Sequence, residues 1–233
     1  MKKKVLISTG GTGGHVVPSI IFYEHLKKEY DTYLACDKRG IKYIDKKKYN
    51  FKIIDVPKIS KNFIIWPLVL TKFIFSIINS FFYIKEKKIQ ILISTGGYMS
   101  LPVCIAAKIL KCKIFLFEPN MVIGRSNLIF LKICTKIFCY SEKIVNFPKK
   151  FENKIQILPP LLREDIYLKE RKNKFKFENK INFLIIGGSQ GSDYFQNNLK
   201  NCILTLSKKY NIFVYHQVNE KNFQQLQSFY NEN

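Results

Sequence analysis

Arginine is scarce in this chain: Arg39, Arg125, Arg163 and Arg171 are the only four among 39 basic residues, against 17 acidic ones. The formal charge of +22 points to an anionic partner such as nucleic acid, acidic lipid or a phosphorylated substrate. It is equally the charge of lysine-rich solvated faces in a chain built from Lys, Asn, Ile, Phe and Tyr, whose codons are AT-rich. Dedicated phosphate readers favour Arg for its forked, bidentate geometry. No helix-turn-helix, RNP or zinc pattern accompanies the charge, which disfavours nucleic-acid binding. Glycine (11) and proline (8) are too few for collagen or low-complexity disorder, and a 47% hydrophobic content supplies a core. The 233 residues suit one large domain or two modest ones. The six cysteines, at 36, 104, 112, 134, 139 and 202, form no C-x-x-C pair and have no nearby His to complete a zinc set. Most sit in apolar runs, as a small hydrophobe would in a reducing cytoplasm. After Met1-Lys2-Lys3-Lys4 the apolar run is only Val5-Leu6-Ile7, shorter than the roughly 7–15 residues of an export signal. A cytoplasmic location is expected.

What is present is an alternation. Val5–Ser8, Thr32–Cys36, Phe51–Val56, Ile89–Ser94, Lys113–Phe117, Asn182–Ile186 and Asn211–His216 read as strands. Helices are expected from Pro18 to Lys28, between the second and third strands, across Pro102–Leu110, from the last glycine cluster to about Lys209, and over Phe223–Tyr230. Pro148, Pro159 and Pro160 punctuate an expected crossing between domains, and the charged stretch Lys169–Lys180 reads as a solvated loop. Strands alternating with helices imply parallel sheets covered on both faces.

Three strand ends run into glycine corners followed by helices: Gly10-Gly11-Thr12-Gly13-Gly14-His15, Gly96-Gly97-Tyr98 and Gly187-Gly188-Ser189-Gln190-Gly191. Glycine lets backbone amides approach a ligand closely, and a helix start behind the turn favours phosphate. Such corners at the carboxyl ends of strands are where open α/β sheets bind ligands. None has clean G-x-G-x-x-G spacing and none carries a Walker lysine, so NAD and ATP chemistry are disfavoured.

Phe63 to Ile84 is a 22-residue apolar run with Lys72 as its sole charge. It is long enough to span a bilayer, but Lys72, Ser76, Asn79 and Ser80 oppose insertion, and a crossover helix is required at this point of the alternation. Two other readings stand: an ordinary buried helix, or an interfacial contact in which Phe63, Ile64, Ile65 and Trp66 enter the headgroup region. Lys58, Lys61, Lys72, Lys85, Lys87 and Lys88 would then face an anionic leaflet.

Gly10-Gly11-Thr12-Gly13-Gly14-His15-Val16-x-Pro18, Gly96-Gly97-Tyr98-x-Ser100-x-Pro102, Glu118-x-Asn120, Arg163, Gly187-Gly188-Ser189-Gln190-Gly191 and a late His216-Gln217 occur in one order. In that order the sequence resembles the MurG family, the UDP-N-acetylglucosamine:lipid I transferases of peptidoglycan synthesis, from residue 4 to about 217. The resemblance implies an α/β protein of GT-B type with two Rossmann-like parallel-sheet domains. Residues 1–160 would be the acceptor- and membrane-binding domain and 161–233 a partial donor-binding domain. It implies an inverting transfer of GlcNAc from UDP-GlcNAc to the C4 hydroxyl of the lipid-linked MurNAc-pentapeptide, with no metal and no cofactor. The partners would be UDP-GlcNAc, lipid I, the anionic inner-membrane surface on its cytoplasmic side and other cell-wall synthesis proteins, and no nucleic acid.

Carried over by position, the resemblance makes His15 the base for the acceptor hydroxyl and Glu118 a second candidate. Thr12, Gly13, Gly14, Asn120, Arg163, Ser189 and Gln190 become donor contacts, and Gly96, Gly97 and Tyr98 the acceptor-side loop. Phe63–Trp66 corresponds to the membrane patch. The family loop His-Glu-Gln-Asn reads Phe117-Glu118-Pro119-Asn120 here, so a backbone donor is lost at Pro119. Family members continue past position 233, so the second sheet is expected to be incomplete. A chain that binds the lipid-linked acceptor without a complete donor pocket is the alternative.

Overall fold

The computed structural model describes residues 2–57, 62–163, 166, 180–187 and 192–232, without the side chains of Phe63 and Ser192. The chain divides into two compact units, Met1–Lys169 and Glu170–Asn233.

The first unit is built on seven strands: β1 (Lys4–Thr9), β2 (Asp31–Cys36), β3 (Phe51–Ile53), β4 (Ile91–Ser94), β5 (Lys113–Glu118), β6 (Lys136–Cys139) and β7 (Ile155–Ile157). They are parallel throughout, in the order β3-β2-β1-β4-β5-β6-β7, with Leu6 opposite Tyr33 on one side and Leu92 on the other. Strands buried on both faces read as continuous apolar runs, and the side chains of β1 divide accordingly. Val5 and Ile7 face a cluster with Val16, Phe22 and Phe117, while Leu6 faces Ile84, Met99 and Phe130 across the sheet.

Helix α1 (Gly13–Leu26) covers the first face; α2 (Trp66–Glu86), α3 (Ser100–Ile109) and α4 (Arg125–Phe130) contribute to the second. Helix α1 starts at Gly13 rather than at the expected Pro18, which lies inside it. Proline withholds one backbone bond, to the carbonyl of Gly14 near the helix start, where the ladder is least needed. Between β2 and β3 the expected helix is a single 3₁₀ turn, Ile41–Tyr43. Asp37 and Asp45 organise this segment instead, through the amides of Gly40, Lys47, Lys48 and Tyr49. The stretch read as a crossing between domains supplies β7, and the sequence pattern also left β6 unseen; at three and four residues both are too short for a period to show.

Helix α2 inverts the usual pattern. Its buried positions are Ser76, Ser80 and Ile84, whereas Leu68, Leu70, Phe75 and Phe82 are each more than half exposed. The small serines permit close approach: Ser76 Oγ lies 2.5 Å from the Asp55 carbonyl oxygen and Ser80 Oγ lies 2.7 Å from that of Ser76. The reading of an ordinary buried helix is therefore corrected. The helix is long and apolar enough to cross a membrane, but it is the crossover that returns the chain to β4, beside β1. Separating its ends across a bilayer would break the sheet.

The second unit contains β8 (Ile181–Ile185) and β9 (Ile212–His216), paired in parallel, with α5 (Ser192–Ser207) and α6 (Glu220–Glu232). The Lys169–Lys180 loop, apart from Lys180, lies outside the described residues, as do Ser189 and Gln190.

Candidate active site

Strand order reverses between β1 and β4: the chain leaves β1 for β2 on one side and later returns to β4 on the other. Their carboxyl ends form the crevice in which open α/β sheets bind ligands, and the first two glycine corners meet there. In the first corner Gly11 has φ +80°, and a side chain at this position would touch nothing within 4 Å. Gly10 has no such room, since a Cβ would lie 2.5 Å from Met99 Cγ and 2.7 Å from Asp37 Oδ1. Thr12 caps α1 through its carbonyl oxygen, which accepts from His15 N and Val16 N; its hydroxyl makes no capping bond. The amides of Gly13 and Gly14 therefore open the helix with no side-chain cap over them.

The second corner needs two left-handed residues in succession, Gly96 at φ +83° and Gly97 at φ +81°. A non-glycine residue would be strained at either position. Ser100 Oγ donates to Gly97 O at 2.7 Å and closes the turn into α3. The His15 ring packs against both glycines: Cβ atoms placed on them would stand 3.5 Å from its Cε1 and Cδ2. His15 Nδ1 lies 2.6 Å from the Thr95 carbonyl oxygen. A carbonyl only accepts, so Nδ1 carries the proton and Nε2 of the neutral ring presents its lone pair. Beneath this contact Thr95 Oγ1 and Thr9 Oγ1 pair at 2.9 Å, tying β4 to β1.

Glu118, at the end of β5, is 2% exposed, and both its oxygens are engaged. Oε1 accepts from the amide and side chain of Asn120 at 3.2 and 3.0 Å; Oε2 accepts from Gly124 N at 2.7 Å and Asn127 Nδ2 at 3.0 Å. Pro119 brings no donor, and its neighbours fill the carboxylate. This arrangement makes Glu118 the anchor of the 118–127 loop rather than a base facing the crevice. Asn120 is exposed but tethered to it. Asn127, on α4, also donates to Phe117 O, and its Oδ1 is buried without a partner beside Gly96.

Tyr98 follows the second corner and packs at a tilt against Phe73 of α2; partial burial pushes its hydroxyl pKa up. Arg163 lines a 420 Å³ pocket on the flank of α1 with Val17, Ile20, Tyr43 and Tyr49. Tyr43 also borders Gly13, at 3.3 Å from its Cβ position. Ile64, Ile65 and Trp66 are exposed at the start of α2. In the second unit Gly187 closes β8, and His216 lines a separate 480 Å³ pocket with Tyr230. Both His216 ring nitrogens are buried without partners, and burial pushes its pKa down. Among the described residues no three His, Cys, Asp or Glu side chains gather as a metal set would.

Sequence reasoning missed Asp37. Its Oδ1 accepts from Gly11 N at 2.9 Å and Gly40 N at 2.8 Å, so the first corner is turned by a carboxylate from the neighbouring strand end. The only signal was an acid directly after the buried run Leu34-Ala35-Cys36.

Residues 5–139, carrying both corners, match the glycosyltransferase family 28 N-terminal domain. The chain belongs to glycosyltransferase family 28. Among curated members, it is 50% identical over 232 residues to the UDP-N-acetylglucosamine–N-acetylmuramyl-(pentapeptide) pyrophosphoryl-undecaprenol N-acetylglucosamine transferase of Pelagibacter ubique (strain HTCC1062), covering all of this chain and 65% of that protein. It is 30% identical over 215 residues to the transferase of the same name from Caldicellulosiruptor saccharolyticus, covering 88% of this chain and 57% of that one. The family-28 chain thus spans less than two thirds of these relatives. The crystal structure of Acinetobacter baumannii MurG has the same fold, with a TM-score of 0.74 at 21% identity over 99% of this chain and 65% of that one.

Proposed function

We propose that this chain takes part in the transfer of GlcNAc from UDP-GlcNAc to the C4 hydroxyl of lipid I, undecaprenyl-diphosphate-MurNAc-pentapeptide. The observation that carries the reading is His15, held by Thr95 between two glycine corners with Nε2 free to accept. In the transfer, the acceptor oxygen bonds to C1 of GlcNAc as the bond from C1 to the diphosphate oxygen breaks. UDP departs, C1 inverts, and the hydroxyl proton passes to His15 Nε2. The amides of Thr12, Gly13 and Gly14 face diphosphate charge, and Asn120 and Arg163 contact the donor. Gly96, Gly97 and Tyr98 border the acceptor. Glu118 keeps the 118–127 loop in place. The segment Phe63–Trp66 and the exposed face of α2 rest on the anionic cytoplasmic surface of the inner membrane, where a lipid-linked acceptor resides.

The test is transfer of labelled GlcNAc to a short-chain lipid I analogue. His15→Ala should lower the rate by about 10²–10⁴-fold, the usual range for loss of a general base, with acceptor binding retained. An unchanged rate would overturn the assignment of His15. A second reading, acceptor binding without a complete donor pocket, is favoured by the second unit, whose described sheet has two strands. Calorimetry separates the two, because that reading expects heat with the acceptor analogue and none with UDP-GlcNAc.

A further inference from the structure

Arg39 is one of the few arginines in the chain and, among the described residues, the only one bonded to the residue that shapes the first glycine corner. Its Nε and Nη2 both lie 2.6 Å from Asp37 Oδ2, while Oδ1 of the same carboxylate holds the amides of Gly11 and Gly40. The Asp37 side chain is 3% exposed and that of Arg39 39% exposed. The pair is thus anchored at its carboxylate and open at its guanidinium. A guanidinium has five N–H donors in a planar fork. Asp37 engages one edge, and Nη1 has no hydrogen-bond partner among the described residues. The charge of Arg39 also acts on the Tyr98 hydroxyl, lowering its pKa against the larger upward push of burial. Because Asp37 occupies the Gly11 amide, that N–H is not available to a ligand; Gly13 and Gly14 contribute amides, but no charge.

We propose that Arg39 is a diphosphate-binding residue, presented by Asp37 as the fixed cation beside the first glycine corner. The inference rests on the transfer reading above and supplies what backbone amides alone lack, a full positive charge in forked geometry matched to phosphate oxygens. Fixing the guanidinium in advance lowers the ordering cost that a free arginine would incur on binding. The same chemistry is offered by the diphosphate of the nucleotide sugar and by that of the lipid-linked acceptor.

The experiment titrates the chain with inorganic pyrophosphate by calorimetry, alongside Arg39→Gln, Arg39→Lys and the double variant Asp37→Asn/Arg39→Gln. The double variant leaves no uncompensated carboxylate and keeps an Oδ1 acceptor for Gly11 and Gly40. Loss of the charged contact should weaken pyrophosphate binding about tenfold in both glutamine variants, with lysine intermediate. The double variant should melt close to the parent. Pyrophosphate binding equal to the parent in a folded glutamine variant would overturn the proposal and assign Arg39 to structure alone, as would a parent chain that binds no pyrophosphate. Repeating the titration with UDP-GlcNAc and with a short-chain polyprenyl diphosphate assigns the source, since the affected ligand carries the diphosphate that Arg39 meets. Failure here leaves the His15 rate test untouched, so the two readings fall separately.

Discussion

The ring of Phe73 packs at a tilt against that of Tyr98, with centroids 6.2 Å apart and planes 32° from parallel. One ring belongs to the helix whose apolar face is exposed, the other to the loop after the second glycine corner. The surface proposed to meet lipid and the loop proposed to meet the acceptor are thus mechanically joined. Phe73→Ala should raise the KM for the acceptor more than that for the donor. Equal changes in both, in a steady-state assay, would show that this ring contact does not act on the acceptor side.

Membrane docking makes a simpler forecast. Trp66 is 49% exposed and heads a helix edged with lysines. Trp66→Glu should reduce co-sedimentation with anionic vesicles about tenfold, from lost apolar burial and added repulsion. Salt should weaken binding of the parent as well, because exposed charges are screened. Unchanged co-sedimentation would remove this face from the contact.

The glycine corners differ in what they tolerate. Gly97→Ala places a side chain at φ +81° and should cost about 1–2 kcal/mol of backbone strain. Gly10→Ala meets Met99 and Asp37 at 2.5 and 2.7 Å and should cost about 1–3 kcal/mol by overpacking. Urea midpoints measure both; a neutral Gly10→Ala would mean that the Asp37 clamp is looser than its distances indicate.

Glu118→Gln sets an amide NH₂ against donors that the carboxylate now accepts. It should destabilise the first unit by about 1–3 kcal/mol, the range for an unsatisfied buried donor. The thermal midpoint reports this directly, and an unchanged midpoint would reopen a catalytic role for the side chain.

Acid should strip one surface cluster of its value. Partial burial pushes the Glu24 carboxyl upward, but bonds from Lys27, Tyr49 and Lys48 outweigh it and hold the pKa at about 2, below the usual 4.5. A carboxyl depressed in the fold stabilises it above the unfolded value, and that contribution disappears as the pH falls from about 4.5 through 2. The melting difference between parent and Glu24→Gln should therefore be full at pH 6 and vanish near pH 2.

The strands β1 and β4 and the corners behind them were legible in the sequence because their signals are local: buried apolar runs stopped by glycine. The His15 tautomer was not, because it depends on a carbonyl at Thr95, eighty positions away in the chain. Asp37 became visible only once β2 was seen beside β1. Glu118 looked like a base by type and proximity; only its four donors reveal an anchor. Helix α2 is apolar on nearly every side, so composition could not say which face turns inward. Its serines decide that by size.

The distribution of thiols has a practical consequence. Burial pushes Cys36, Cys104 and Cys139 up to about 12, and it raises Cys112 and Cys134 as well. Cys202, on α5, is the one exposed cysteine. Since the thiolate is the reactive form, a maleimide dye should attach there first in the native protein. The wild-type sequence thereby offers a single-site fluorescent reporter on its second unit, without any engineered residue.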